Sequence, residues 1–288
     1  IFLPFSDFSE PTLLAQRHDQ LADFLHRANA AGLKVIVTLF DHRTDHHPAT
    51  WAADARYLAT LIPEFAEDPA ILAWDLKNEP DRDYAYNSQP LVDAWLRFVL
   101  HHVRWYDPNH LMTIGWSTPE AAVNLADRVD FVAYHYFAAP AGYQSRITAL
   151  QQAVAPKPLL LEEVAFSTWN SPFYPGHSEV EQQHYVAALL NAHEALDTLG
   201  YLIWTLYDFD QVPLAEFRYP WQRATQAHMG LIRRDGVAKP AAALVAPQSV
   251  RDLTPLPTGY FLTKPFWLSA FLLLLFTLLS IRWWRTHH

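Results

Sequence analysis

The chain has 288 residues, 51% of them apolar, which is enough for one large α/β barrel or two small domains. A net charge of −9 argues against a nucleic-acid partner, because phosphate backbones attract Lys and Arg. Cysteine is absent, which excludes disulfides, thiolate metal sites and Cys nucleophiles. In chain order, "IFLPF" (1–5) reads as a strand, and residues 12–31 carry apolar side chains at helical spacing up to Gly32. "KVIVTLF" (34–40) is a strand rich in β-branched residues, followed by a helix over about 50–66 and the strand "ILAWDL" (71–76). A helix over about 90–106 leads to the strand "MTIGW" (112–116), a short helix at 119–126 and the strand "FVAYHYF" (131–137). A helix near 145–154, the strand "PLLLEEVA" (158–165), a helix at 179–199, the strand "YLIWTLY" (201–207) and a last helix around 239–246 complete the body.

Seven strands alternate with helices, and their runs are apolar throughout, as in parallel strands covered on both faces. The expected fold is a (β/α)8 TIM barrel that lacks its first βα unit in this chain. An open doubly wound sheet would usually show a Gly-rich phosphate turn after its first strand, and none is found. The barrel is expected over 1–247 and a linker over 248–264. Residues 265–284 read as a transmembrane helix, with 285–288 as a short tail. Arg282 and Arg285 beyond its uncharged stretch 266–281, against Lys264 before it, place the tail in the cytoplasm and the barrel outside. The chain starts at Ile1 inside a β-like run, as a fragment or processed form would, with any signal peptide upstream.

Function in such a barrel sits at the carboxyl ends of the strands. Those ends carry Asp41-His42-Arg43, Asn78-Glu79, Trp116-Ser117, His135-Tyr136, Glu162-Glu163, and Trp204 with Tyr207-Asp208. Glu79 and Glu163 are the candidate catalytic pair, since glycoside cleavage needs one protonated and one ionised carboxyl. One of the two acids in "LEE" is expected to be a solvated or ion-paired neighbour. Asn78 can donate to a sugar hydroxyl, His135 and Tyr136 can hydrogen-bond the attacking carboxylate, and Trp204 offers a stacking platform. "DHRTDHH" (41–47) is rich in His and Asp, but ligands so close in sequence rarely converge, and it is read as a rim loop. No G-x-S-x-G elbow supports a Ser nucleophile.

"WDLKNEP", "DFVAYHYF", "KPLLLEEVAFST", "YLIWTLYDF" and "GLIRRDGVAKPAA" together resemble segments of a retaining glycoside hydrolase of clan A, family 5, the cellulase and β-mannanase family. The resemblance covers about residues 1–245 and implies Glu79 as acid/base, Glu163 as nucleophile, and Asn78, His135 and Trp204 as substrate-site residues. It implies hydrolysis of β-glycosidic bonds in a β-glucan or β-mannan, with neither a metal nor an organic cofactor. Val164-Ala165 stands where the family has an aromatic-Gly pair, and Phe137 where it has an aromatic hydroxyl. Those departures leave two alternatives, a non-catalytic carbohydrate-binding barrel at the cell surface and a transglycosylase that remodels a glucan.

Overall fold

The computed structural model describes residues 1–10, 12–171, 176–212, 217 and 219–245. The expected linker, transmembrane helix and tail lie outside the described residues. Among the described residues no helix is long and apolar enough to cross a membrane.

Seven strands form one sheet in sequential order: β1 (Phe2–Pro4), β2 (Val35–Asp41), β3 (Ile71–Asn78), β4 (Leu111–Trp116), β5 (Val132–Tyr136), β6 (Leu159–Val164) and β7 (Gly200–Ile203). Neighbours from β1 to β6 pair in parallel. Sequential parallel order is that of a barrel wall, consistent with a TIM-barrel-like fold. The helices are α1 (Phe5–Ser9), α2 (Leu14–Ala30), α3 (Trp51–Phe65), α4 (Gln89–Tyr106), α5 (Tyr143–Val154), α6 (Glu179–Glu194) and α7 (Pro220–Gln226).

Local chemistry explains these elements. On α2, His18, Leu21, Leu25 and Ala28 form one buried stripe. Gly32, at φ +71°, lets the Leu33 amide close back on the Ala28 carbonyl and end that helix. Inside the sheet, Ile36, Ala73, Phe131, Ala133 and Leu160 make an apolar cluster. Trp74, one residue on from Ala73, takes the opposite face, and its indole N–H donates to Asp107 at 2.7 Å.

Two expected helices are replaced by tighter turns. Over 119–126 the chain makes 3₁₀ turns at Ala121–Val123 and Ala126–Arg128, parted by Leu125 at φ +56°. A left-handed residue cannot continue an α-helix, so the turn breaks there. The last helix is a 3₁₀ stretch, Pro240–Leu244. The helix expected at 179–199 stops at Glu194, and the strand expected at 201–207 covers only Gly200–Ile203. Helices α1 and α7 and the 3₁₀ turns Pro48–Thr50 and Pro80–Ala85 have no counterpart in the sequence-based expectation.

The chain divides into two compact units. The first holds Ile1–Tyr136, Ser145–Val164 and Asp197–Leu202. The second holds Phe137–Gln144, Ala165–Leu196 and the residues from Ile203. In the first unit, Arg43 pairs with buried Asp54 at 3.0 Å and lies over the Phe5 ring, while the Trp95 indole donates to Asp54 at 2.9 Å. In the second, Ser178 and Glu181 form a capping box at the start of α6. The Gln182 amide donates to the carbonyls of Phe166, Met229 and Gly230, and Lys239 donates to Asp208 at 2.7 Å.

Candidate active site

The first unit gathers carboxylates around one imidazole at the carboxyl ends of β3, β5 and β6. Glu79 follows β3 at φ +47°, in the left-handed region, and its amide donates to the Gly115 carbonyl at 2.7 Å. That conformation is costly for a side-chain-bearing residue and is held here by the neighbouring strand and by Pro80, which opens the next turn. Glu79 Oε1 accepts from His135 Nδ1 at 3.0 Å, and Oε2 accepts from Arg82 at 2.7 Å. Glu163 on β6 has its Oε2 at 3.5 Å from the same His135 Nδ1. Its Oε1 is buried without a hydrogen-bond partner among the described residues. Donor atoms of Glu79, His135 and Glu163 all lie within 4.8 Å of one another. His135 Nδ1 lies between the two carboxyls, where a proton on it can be offered to either.

The register of β6 explains how two consecutive acids both reach His135. Tyr134 pairs with Leu161, yet His135 pairs with Glu163, so β6 carries one extra residue at Glu162. In a regular strand Glu162 and Glu163 would point to opposite faces, and a bulge re-aims the second. Glu162 Oε2 lies 3.9 Å from His135 Nε2, on the far side of the ring from Glu163. A similar shift occurs in β3 between Asp75 and Asn78, just before Glu79. Asp75, one turn of the pleat below, accepts from the Gly115 amide at 2.8 Å.

The electrostatics follow from this crowding. Burial pushes Glu163 up to about 7; the His135 charge opposes that rise, and Glu79, Glu162 and Asp41 add to it. Burial would also raise Glu79, but the hydrogen bond and charge of His135, with Arg82 and Lys77, outweigh it and hold the carboxyl below its ordinary value. Burial would lower His135, yet Glu163, Glu162 and Glu79 drive it well above the usual histidine value. Burial first, then the Glu162 charge, push Asp75 up to about 8. In this arrangement the imidazole is protonated, Glu79 is the ionised member of the pair, and Glu163 is the one that retains a proton near neutrality.

Of the residues singled out in the sequence, Glu79, His135 and Glu163 come together. Asn78 stands at the end of β3, half-buried. Tyr136 does not join them through the strand's pleat: it follows His135 on the opposite face, with Arg146 over its ring and Glu120 bound to Arg146. Trp204 belongs to the second unit, where its indole donates to Gln226 at 3.4 Å and its ring lies near Phe209. The "DHRTDHH" residues disperse into local roles. His46 is buried on Asp83 at 2.7 Å and packs on Trp95, His47 caps the turn at Pro48, and Asp41 pairs with His42. Three residues of the cluster went unselected at the sequence level, namely Asp75, Gly115 and Glu162. Asp75 carries a readable signal, because it is an acid at the inward parity of a strand that is otherwise apolar to that depth.

Comparison with known proteins agrees with this geometry. Residues 62–143, which include Asp75, Glu79, Gly115 and His135, match the model of a GH family 5 beta-mannosidase-like domain. The chain is 30% identical over 180 residues to mannan endo-1,4-beta-mannosidase 1 of Oryza sativa subsp. japonica, covering 49% of this chain and 41% of that protein. It is 30% identical over 143 residues to a probable mannan endo-1,4-beta-mannosidase C of Aspergillus terreus, covering 37% of this chain and 35% of that protein. The chain thus spans about two fifths or less of the length of these curated relatives. Among solved structures, a β-glucuronidase from Ruminococcus gnavus in complex with D-glucuronic acid superposes with a TM-score of 0.65 at 17% identity, over 77% of this chain and 40% of that one. A GH2 β-galacturonidase from Eisenbergiella tayi gives 0.60 at 16% identity, over 76% of this chain and 40% of that one. At such identity these two share the fold alone, whereas the family match and the mannanase relatives support a glycoside hydrolase.

Proposed function

We propose that this domain hydrolyses β-linked polysaccharide of mannan type with retention of anomeric configuration. The observation that carries the reading is the approach of the Glu79 and Glu163 carboxyl oxygens, which with His135 Nδ1 fall within 4.8 Å. Retaining enzymes hold their carboxyls about 5–5.5 Å apart and inverting ones about 6.5–9.5 Å, and this approach favours the retaining spacing. Glu163 attacks the anomeric carbon as the glycosidic C–O bond breaks, and Glu79 gives its proton to the departing oxygen. Glu79 then takes a proton from water, which displaces the sugar from Glu163. The mannan relatives supply the substrate class.

This chemistry needs the proton on Glu79 and the charge on Glu163, the reverse of the resting arrangement. His135 Nδ1 lies 3.0 Å from one acid and 3.5 Å from the other. Arg82, which favours the ionised form of Glu79, is 68% exposed. A sugar that displaces Arg82 leaves Nδ1–H to favour Glu163, and the shared proton passes to Glu79.

The test is turnover of an aryl β-mannoside by Glu163→Ala and Glu79→Gln. Each is expected to lose activity by about 10⁴-fold or more, and a 2-fluoro glycoside is expected to label Glu163 in the unsubstituted chain. Turnover by either variant at the original rate defeats the reading. Binding of mannan without turnover in the unsubstituted chain would favour the carbohydrate-binding alternative. On the sequence alone we also propose that residues 265–284 anchor the domain to a membrane with the barrel on the outer side. Release of the full chain into the supernatant by an alkaline carbonate wash would defeat that part.

A further inference from the structure

His135 has a second neighbourhood on the side of its ring away from Glu79 and Glu163. A β-carbon built on Gly115 would lie 2.8 Å from Glu162 Oε2, 3.3 Å from Asp75 Oδ2 and 3.3 Å from His135 Nε2. Three polar atoms from three strands therefore converge on the space over one residue that has no side chain. Asp75 is fixed there: its Oδ1 accepts from the Gly115 amide at 2.8 Å and from the Lys77 amide at 3.3 Å, and the Thr38 side chain bonds it as well. Glu162 Oε2 is buried with no hydrogen-bond partner among the described residues, and faces His135 Nε2 at 3.9 Å.

We propose that Asp75 and Glu162 act as a positioning pair which, holding one proton between them, supplies the single negative charge that keeps His135 Nε2 protonated and its Nδ1–H aimed at Glu79 and Glu163. The proposal rests on the reading of Glu79 and Glu163 as the reacting carboxyls. Two ionised acids whose oxygens both approach the space over Gly115 within 3.3 Å, both buried, are unfavourable, so one proton stays with the pair. Asp75 is the member that burial and the Glu162 charge push up to about 8, and Glu162 is the member that faces the ring. A doubly protonated imidazole has no acceptor nitrogen, so it donates on both sides at once. Other charged groups face this cluster. Glu79 and Glu163 flank Nδ1, Asp41 acts on Glu163, Lys77 and Arg82 act on Glu79, and the α-amino group of Ile1 acts toward Glu162 and Asp75.

The two members have opposite expected effects, which a merely structural role would not produce. Glu162→Gln keeps the shape and removes the charge, so His135 gives up its proton at lower pH. Asp75→Asn removes the acid that competes for charge and leaves Glu162 ionised, so His135 keeps its proton to higher pH. The measurement is an NMR titration of the full chain with labelled histidine, the His135 signal being assigned by its loss in His135→Asn. Opposite displacements support the pair; an unchanged titration in either variant, or displacement of both in one direction, overturns it. If Glu162→Gln does not fold, Asp75→Asn alone decides, an upward displacement supporting and any other result overturning. In the kinetic arm Glu162→Gln is expected to lower kcat on the order of 10²-fold with KM little changed. The titration needs no substrate. A chain that cleaves no β-glycoside therefore defeats the catalytic reading while the His135 result stands by itself.

Discussion

Two groups of buried acids lie in the first unit, and they are built in opposite ways. In the helices and turns outside the sheet, three buried carboxylates each have their partners. Asp54 holds Arg43 and Trp95, Asp107 holds Trp74 and His110, and Asp83 holds His46 and Lys77. At the carboxyl ends of the strands, Glu79, Glu162, Glu163 and Asp75 press on a single imidazole, and buried oxygens of Glu162 and Glu163 go unbonded. Those three acids each face two donor side chains and serve the fold. The inner acids outnumber their donors, and burial first, then their mutual charge, raises Glu163 and Asp75 above their ordinary values.

The contrast can be broken most sharply at Asp54. Asp54→Ala leaves Arg43 and the Trp95 indole without their shared acceptor in a buried site. It is expected to destabilise the domain by about 3–5 kcal/mol, read by denaturant unfolding. The inner region should respond with the opposite sign. Glu163→Gln is expected to stabilise the protein, by about 3 kcal/mol at most, at pH 8 and by nothing at pH 4. The sign follows from a folded-state value of about 7 against 4.5 for the exposed group. Folding favours the protonated carboxyl, so stability is lost as pH rises from 4.5 toward 7, and an amide removes that loss. Equal destabilisation by both substitutions would erase the distinction between the regions.

Smaller effects sharpen it further. If Glu79 and Glu163 share one proton, kcat/KM should follow a bell. Its alkaline limb lies near 7, where the pair loses that proton, and its acid limb lies below 4.5, where Glu79 takes a second. Arg82→Ala should move the acid limb upward, because a charge that favours ionised Glu79 is gone. Its effect on stability should stay within about 1 kcal/mol, as expected for an ion pair whose cation is exposed. A flat profile between pH 4 and pH 8 would show that the pair does not share a proton.

Much of this was legible in the residues. Apolar runs bounded by Gly, Pro and Asp mark the first six strands to within a residue or two, because a parallel strand covered on both faces tolerates few polar side chains, while β7 ends four residues short of its expected end. Glu79 and Glu163 stand out as acids where such runs stop. Glu162 did not, because alternation assigns it to the face opposite Glu163. Only the extra residue in β6 puts both against His135, and a register shift leaves no mark in composition. Tyr136 shows the same rule from the other side, since no bulge separates it from His135 in β5 and the pleat turns it away. The helix expected at 119–126 failed for a backbone reason, the left-handed Leu125, that side-chain periodicity does not encode.

Gly115 is where these threads meet. A methyl group there would sit 2.8 Å from Glu162 Oε2, so alanine would displace the acid from behind the ring and not merely crowd it. The strand at that point works as a window: a gap one carbon wide through which charge on one side of the sheet interior reaches the imidazole on the other. On the proposed reading, the proton balance at His135 therefore depends on an atom that is missing, at a position outside the pair of carboxyls that would react.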